Sequence, residues 1–575
     1  MLRLRVGFVL IAMVVSVFGA RLFQLQGIDA QAYAAKAEAN DATGLETITL
    51  PATRGSIVDR NGMPLAESVD GMMIVADPTL TSDDANALAK ILANRLYIDY
   101  FETLERLRDP DTQFRYIARR VPSATARAVV AEIDAKGYKG IDVRRDPVRD
   151  YPANDVAANL LGFLGADGRP LAGYERLFNP MLAGRDGSAT YELGGGNRIP
   201  LGDNSVVAPR SGKDLTLTID RDVQWYTQRV LRQTVQGSGG ESGAAVVMDS
   251  RTGEVLALAD HPTFDANRPL ASPEEDLGAR SLFDVYEPGS VEKVLTVSSL
   301  IDAGKVTPQT KIVVPPELPR ADRVIGDYWD HGRLRLTLTG VIAKSSNIGT
   351  VLAADEFSPK ELYTYLNSFG LGEETGVGIP GEAAGLLPHW RDWTQIRQDT
   401  IAFGQGVSVN ALQMATAVNA IANDGVLVQP SLVEGSATTK NGQVVGTGAA
   451  ASHRVISERA AHLTTDMMEA VTDPEKGTAP SAAIEGYRVA GKTGTAQRVG
   501  EDCGCYDGSF TVSFIGFAPA DDPRFLVYVV VQDPKNGGGG GTIGGPAFHK
   551  MMSYLLQKYA VPPTGAKAPN VPLEW

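Results

Sequence analysis

The sequence predicts an α+β protein: one antiparallel sheet covered by helices, preceded by a mixed α/β region and an apolar N-terminal segment. Three observations predict it. Strand-like pairs lie at residues 243–259 and 510–532, toward the two ends of the later part of the chain. Long helical stretches fill the interval between them, and strands and helices segregated in this way suit α+β rather than βαβ architecture. An apolar run, residues 6–20, follows Arg3 and Arg5 at the start.

That run is short for a span, because crossing the hydrocarbon takes about 20 apolar residues. Arg21 can snorkel and let the helix continue to about residue 25. The leading arginines favour a cytoplasmic N-terminus. Residues 1–25 therefore read as a cytoplasmic tip and single-pass transmembrane anchor; a cleaved signal peptide is the alternative. Either way the rest is exported.

Residues 26–210 read as a mixed α/β pedestal. Residues 31–42 are alanine-rich and helical. Residues 51–62 are turn-rich, with Asn61-Gly62 as a hairpin signal. Residues 83–107 read as one helix from the spacing of Leu88, Leu92, Leu96, Phe101, Leu104 and Leu107. Residues 123–136 read as another, capped by Ser123 and stopped by Gly137. The glycine-rich residues 185–202 read as a loop.

Residues 211–560 hold the predicted sheet. Residues 214–220 alternate like a strand and lead into a helix. Residues 243–259 form two apolar runs joined by Arg251-Thr252-Gly253, a hairpin. Residues 510–518 and 525–532 repeat the pattern around a Pro-Ala-Asp-Asp-Pro turn. Residues 537–545 read as a flexible glycine loop, with Pro546 opening a closing helix. Residues 561–575 read as a disordered Pro-rich tail.

The composition excludes several functions. A formal net charge of −14 over 575 residues argues against a nucleic-acid binder. With two cysteines, Cys503 and Cys505, the chain is not a disulfide scaffold; a strained local bridge or two loop thiols remain for that pair. Six histidines without an HExxH or CxxC pattern predict no metal site, and no cofactor is expected.

Three segments carry chemistry. In Tyr-Glu-Pro-Gly-Ser-Val-Glu-Lys, Ser290 falls at a helix N-terminus, with Lys293 one turn on. A serine needs a nearby base, and a lysine serves if burial or a second cation lowers its pKa. Ser345-Ser346-Asn347 offers hydroxyls and an amide able to relay a proton and bind a peptide. Lys492-Thr493-Gly494-Thr495 reads as a strand able to hold an extended peptide with a terminal carboxylate. Singly these are an ordinary cap, a polar turn and an edge strand; their combination and order are far more specific.

In that order they resemble the S-x-x-K, S-x-N and K-T-G set of penicillin-binding proteins and serine β-lactamases. The chain as a whole resembles class B penicillin-binding proteins, most like the division-specific FtsI type. Arg54-Gly55-Ser56-Ile57-Val58-Asp59-Arg60-Asn61-Gly62, Gly173-Tyr174-Glu175, residues 184–187 and Phe403-Gly404-Gln405-Gly406 carry the likeness beyond the three motifs. The resemblance implies a penicillin-binding transpeptidase fold and a serine D-Ala-D-Ala transpeptidase. Ser290 would be the acylated nucleophile and Lys293 its base. Ser345 would pass a proton to the leaving amine, and Asn347 would contact the substrate amide. Lys492 and Thr493 would hold the terminal carboxylate, with Gly494 beside them. The N–H groups of Ser290 and Thr495 would form the oxyanion hole. Implied partners are peptidoglycan stem peptides, β-lactam antibiotics, a SEDS-family (FtsW-like) glycosyltransferase and division proteins. An elongation-type enzyme, a degenerate division scaffold and a hydrolase are the alternatives.

Overall fold

The computed structural model describes residues 43–109, 112, 114–165, 167–194, 197–198, 204–500 and 504–575, with positions 12, 13, 15–18 and 21. Most of the expected anchor, the helix expected at 31–42, and Cys503 lie outside the described residues. No helix among the described residues is long and apolar enough to cross a membrane.

The chain forms two compact units. The smaller comprises Met1–Arg54, Asp70–Val148 and Ala183–Gly212. Its core gathers Ile74, Leu88, Leu92, Leu107, Val129 and Ile133. The expected helix over 83–107 is two helices, Ala85–Leu96 and Tyr100–Arg108. Tyr97 breaks the periodicity by adopting φ 57°, and Asp99 then caps the second helix by accepting from Glu102 N at 2.7 Å. The next helix is Ser123–Ala135, but Pro122 occupies the cap position and Ser123 makes no capping bond. The expected loop at 185–202 contains the strand Gly187–Gly194, paired antiparallel with Thr43–Leu50. Alternating Ser188, Thr190 and Glu192 suit a half-solvated strand despite the flanking glycines.

The larger unit comprises Gly55–Val69, Arg149–Leu182 and Lys213–Trp575. A linear division near residue 210 therefore does not describe the packing. The Gly55–Gly62 box reaches into the larger unit's core through Ile57, and Ile57–Val58 pairs in parallel with Leu215–Thr216. Of the expected 214–220 strand, Leu215 and Thr216 form this ladder and Leu217 adds one antiparallel bridge to Val433. Asp59 Oδ2 accepts from Arg221 N at 3.0 Å, where a helix begins. Arg149 donates to Glu175 at 2.6 Å, both side chains being buried.

The elements that build the site follow in chain order: α1 (Arg221–Ser238), β1 (Ser242–Asp249), β2 (Val255–His261), α2 (Lys293–Asp302), β3 (Lys311–Val314), β4 (Leu334–Thr337), α3 (Leu338–Lys344), α4 (Asn347–Ala354), α5 (Ala411–Ala422), α6 (Glu458–Glu469), β5 (Ala490–Val499), β6 (Tyr506–Ala518), β7 (Phe525–Gln532) and α7 (Gly540–Lys558). The antiparallel sheet runs β2-β1-β7-β6-β5. Both hairpins form as their sequences suggest.

Side chains alternate along each strand apart from register shifts at Val247/Met248 and Gln497/Val499, so each face has its own partners. Gly243 on β1 meets Val235 and Leu231 of α1, and Phe514 on β6 packs edge-on against Phe548 of α7. On the opposite face Tyr528 of β7 hydrogen-bonds Tyr286 at 2.8 Å, just before the Ser290 turn. Every residue of α5 is buried in the centre of the second helical layer.

Two expectations fail near the C-terminus. The glycines at 540–545 are helical, and Pro546 sits inside α7 rather than at its start. A Cβ on Gly540 would lie 2.1 Å from Ser513 O, and one on Gly544 2.7 Å from Phe514 Cβ. These glycines serve close helix–sheet approach, not flexibility. The tail is also anchored: Leu573 O accepts from Thr337 N at 2.9 Å. Cys505 is disulfide-bonded, which excludes a free loop thiol there.

Candidate active site

Ser290 sits in a 3₁₀ turn, Gly289–Val291, that runs directly into α2. The turn is formed by Pro288 and by Gly289 at φ 54°. Gly289 N donates to Gly404 O at 2.9 Å. A Cβ on Gly404 would stand 2.0 Å from Gly289 O, so the Phe403–Gly406 loop fits only without a side chain there. Glu287 extends the clasp by accepting from Gly406 N at 2.8 Å. On its other side the turn abuts β5: Gly289 approaches Thr495 O and Ala496, and Gly494 approaches Val291 and Pro288 O.

One helical turn beyond Ser290, Lys293 is fully buried. Its Nζ donates to Ser345 O and to Asn347 Oδ1, each at 2.7 Å. Burial pulls its pKa down to about 7, against the opposing pull of Asp327 and Glu292. Lys492, also fully buried, donates from Nζ to Ser345 Oγ at 2.8 Å, Thr493 O at 3.0 Å and Thr493 Oγ1 at 3.2 Å. Burial lowers its pKa well below the ordinary lysine value, and repulsion from Lys293 adds to the effect. Two amines thus converge on one residue, Ser345, and Lys293 makes Lys492 harder to protonate.

Ser345 closes α3 at φ 59°. A non-glycine residue in that region is strained by about 1–3 kcal/mol and persists where its surroundings hold it. Ser346 caps α4 by accepting from Gly349 N at 2.9 Å. Asn347 opens α4, and its Nδ2 donates to Gly326 O at 3.0 Å.

Lys492, Thr493, Gly494 and Thr495 lie on β5, a strand as their sequence suggests, and it forms one edge of the sheet. Lys492 pairs with Ile515 and Thr493 with Phe514. Thr493 Oγ1 lies 3.4 Å from Thr478 Oγ1. Gly494 has no room for a Cβ, which would meet Ser513 Oγ at 2.3 Å. Thr495 is half-buried, beside Gly539 at the start of α7. Of the eight residues singled out in the sequence, Lys293 and Lys492 bond Ser345, Lys293 also bonds Asn347 and Lys492 also bonds Thr493. Ser290 lies in the turn leading into α2, and Gly494 and Thr495 lie on the strand against that turn.

Sequence reasoning missed Asp327. Its buried carboxylate accepts from Ser346 Oγ at 2.6 Å, Asn347 N at 2.5 Å and Ile348 N at 3.0 Å, with His331 Nε2 at 3.0 Å. It caps α4 and fixes the second motif. A lone aspartate in a loop 19 or 20 positions upstream carries no sequence signal. It also missed Glu292, fully buried with Oε1 accepting from Thr296 at 2.7 Å and its pKa pushed well up by burial.

Among the described residues no His, Cys, Asp or Glu group is arranged to hold a metal ion. The arrangement offers a serine at a helix start, a buried amine of lowered pKa one helical turn on, a serine whose carbonyl and hydroxyl each meet one of two buried amines, and an edge strand.

The family model described as "Penicillin binding protein transpeptidase domain" matches residues 243–553, and "Penicillin-binding Protein dimerisation domain" matches residues 49–170. The penicillin-binding protein PbpB of Mycolicibacterium smegmatis is 36% identical over 100% of this chain and 92% of its own length. The peptidoglycan D,D-transpeptidase FtsI of Escherichia coli K12 is 34% identical over 91% of this chain and 86% of its own. The crystal structure of penicillin-binding protein 3 from Mycobacterium tuberculosis complexed with aztreonam superposes with a TM-score of 0.71 at 31% identity, over 92% of this chain and 100% of that one.

Proposed function

This chain belongs to the class B penicillin-binding proteins, and on that premise we propose that it is a peptidoglycan D,D-transpeptidase of septal wall synthesis that works through an acyl-enzyme on Ser290. The observation that carries the reading is the convergence of Lys293 and Lys492 on Ser345 beside the Ser290 turn.

In the proposed reaction the Ser290 hydroxyl attacks the penultimate D-Ala carbonyl of a stem peptide and gives its proton to neutral Lys293. Burial supports that neutral form near pH 7. The tetrahedral oxyanion faces the N–H groups of Ser290 and Thr495. The C–N bond then breaks, and Ser345 delivers a proton to the departing D-Ala nitrogen. Asn347 holds the substrate amide, and Lys492 and Thr493 hold the terminal carboxylate. Binding that carboxylate favours the charged form of Lys492, whose charge in turn favours neutral Lys293. An amine of a neighbouring stem peptide attacks the ester, forms the cross-link and frees Ser290. A β-lactam acylates the same oxygen and lacks a leaving group that departs.

We further place the catalytic unit outside the cytoplasmic membrane behind a single N-terminal anchor, working with a SEDS-family glycosyltransferase. The apolar run after Arg3 and Arg5 supports the anchor. Supplying a D-Ala-D-Ala thioester peptide with a D-amino-acid acceptor tests the activity. Transfer to the acceptor, abolished in Ser290→Ala, is expected. Hydrolysis without transfer makes the protein a carboxypeptidase or β-lactamase. Depletion in cells tests the division role: filaments lacking septa are expected, whereas rounded cells indicate an elongation enzyme. Normal division supported by Ser290→Ala identifies a scaffold.

A further inference from the structure

The segment Pro572–Trp575 reaches the second motif from an unexpected direction. A stretch of ten residues, 562–571, carries no helix or strand and is mostly exposed. The chain then lands on β4. Leu573 O accepts from Thr337 N at 2.9 Å, and Trp575 N donates to Arg335 O at 3.2 Å. Glu574 bridges Leu336 antiparallel. Since β4 already pairs with β3, the segment adds a third short strand to that ribbon.

The landing has side-chain locks. Trp575 Nε1 donates to Leu336 O at 3.1 Å. Its ring lies 4.7 Å from Lys311 Nζ and 5.4 Å from the Arg335 guanidinium carbon, two cations against one indole. Thr337 Oγ1 donates to Pro572 O at 2.5 Å while accepting from Gly340 N at 3.1 Å as the cap of α3. Gly340 is glycine because a Cβ there would stand 2.0 Å from Leu573 O. At the far end of α3, Glu574 Oε1 lies 3.4 Å from Lys344 Nζ. The segment therefore touches the first turn of α3 and its last residue.

The residue after Lys344 is Ser345, on which both buried lysines converge. A helix as short as α3 moves as a rod of about 10 Å, so a shift at its capped end reaches Ser345. We infer that Pro572–Trp575 is a positioning strap for Ser345, gripping α3 so that the Ser345 hydroxyl and carbonyl meet Lys492 and Lys293. Leu573, Glu574 and Trp575 are positioning residues; their contacts are with β3, β4 and α3, not with Ser290, Lys293 or Lys492. The ion pair is exposed and adds little; the backbone pairing and the indole do the holding. This rests on the proposed reading of Ser290 as the acylated residue.

The test uses the full-length protein with benzylpenicillin, separating the non-covalent dissociation constant from the first-order acylation rate, beside a thermal melt. The variants are a chain lacking residues 572–575, Trp575→Ala, Trp575→Phe and Gly340→Ala. The strap requires the acylation rate to fall roughly 10- to 100-fold when it is removed, the scale of an angstrom-size misplacement, with the dissociation constant little changed. Gly340→Ala, which displaces Leu573 from the other side, reproduces the loss, and Trp575→Phe restores most of the rate. Acylation at the parental rate without residues 572–575 overturns the inference. So does a loss that scales only with the melting temperature across the variants, which marks a merely structural segment. If the truncated chain does not fold, Trp575→Ala and Gly340→Ala decide by the same criteria. A parent protein that forms no Ser290 adduct overturns the functional reading, and this inference with it.

Discussion

Burial draws the proton off Lys293, and the direction of that shift makes the chemistry testable one residue at a time. With its pKa lowered to about 7, the amine is a base only above that value. The acylation rate is therefore expected to rise through about pH 7 and level off above it, in a profile measured with a β-lactam; a flat or falling profile removes Lys293 from the role. Lys293→Arg is expected to abolish acylation, because a guanidinium keeps its proton. Asp327 opposes the shift by favouring the charged amine. Asp327→Asn keeps an acceptor for Ser346 but removes the charge, so the midpoint moves to lower pH. Asp327→Ala instead leaves the buried donors of Ser346, Asn347 and Ile348 without their partner. An unsatisfied buried donor costs about 1–3 kcal/mol, so a lower melting temperature and slower acylation are expected together.

At the scale of elements, the motifs were legible because their chemistry is local. Ser290 and Lys293 are one turn apart, and Lys492–Thr495 are consecutive, so spacing alone places them on a helix and a strand. Hairpins were legible for the same reason: apolar alternation bracketing Arg251-Thr252-Gly253 admits few other structures. What escaped depends on distant partners. Glycines 540–545 read as a flexible loop because glycine signals freedom and close contact equally, and only Ser513 and Phe514 across the sheet distinguish the two. Tyr97 breaks a helix that Leu88–Leu107 periodicity joins. The Pro-rich tail has no periodicity, and its order comes from Leu336, Lys311 and Arg335. Gly540→Ala follows from this: forcing a methyl against Ser513 O is expected to destabilise by about 1–3 kcal/mol, read as a fall in melting temperature. An unchanged melt shows α7 free to shift outward.

For the whole molecule, the larger unit is assembled from three stretches of chain rather than one. Ile57, Leu65, Tyr174, Phe178 and Leu182 all enter its core from before residue 183. A fragment beginning at Lys213 lacks them and is expected to melt several degrees below the full chain by calorimetry; equal melting shows those stretches to be dispensable. Composition indicated the class of molecule, an acidic chain with no metal pattern, but the interleaving was not legible, because Gly55–Val69 and Arg149–Leu182 look like the segments around them. The proposed function has Ser290 acylated, with the buried amine of Lys293 one helical turn on as its base. The most direct measurement of that claim is the intact mass of the protein after exposure to benzylpenicillin, with Ser290→Ala alongside. A stable adduct of one drug molecule, mapped to Ser290 and absent from the variant, is the predicted result. An unmodified protein with the drug intact, or with the drug hydrolysed, contradicts it.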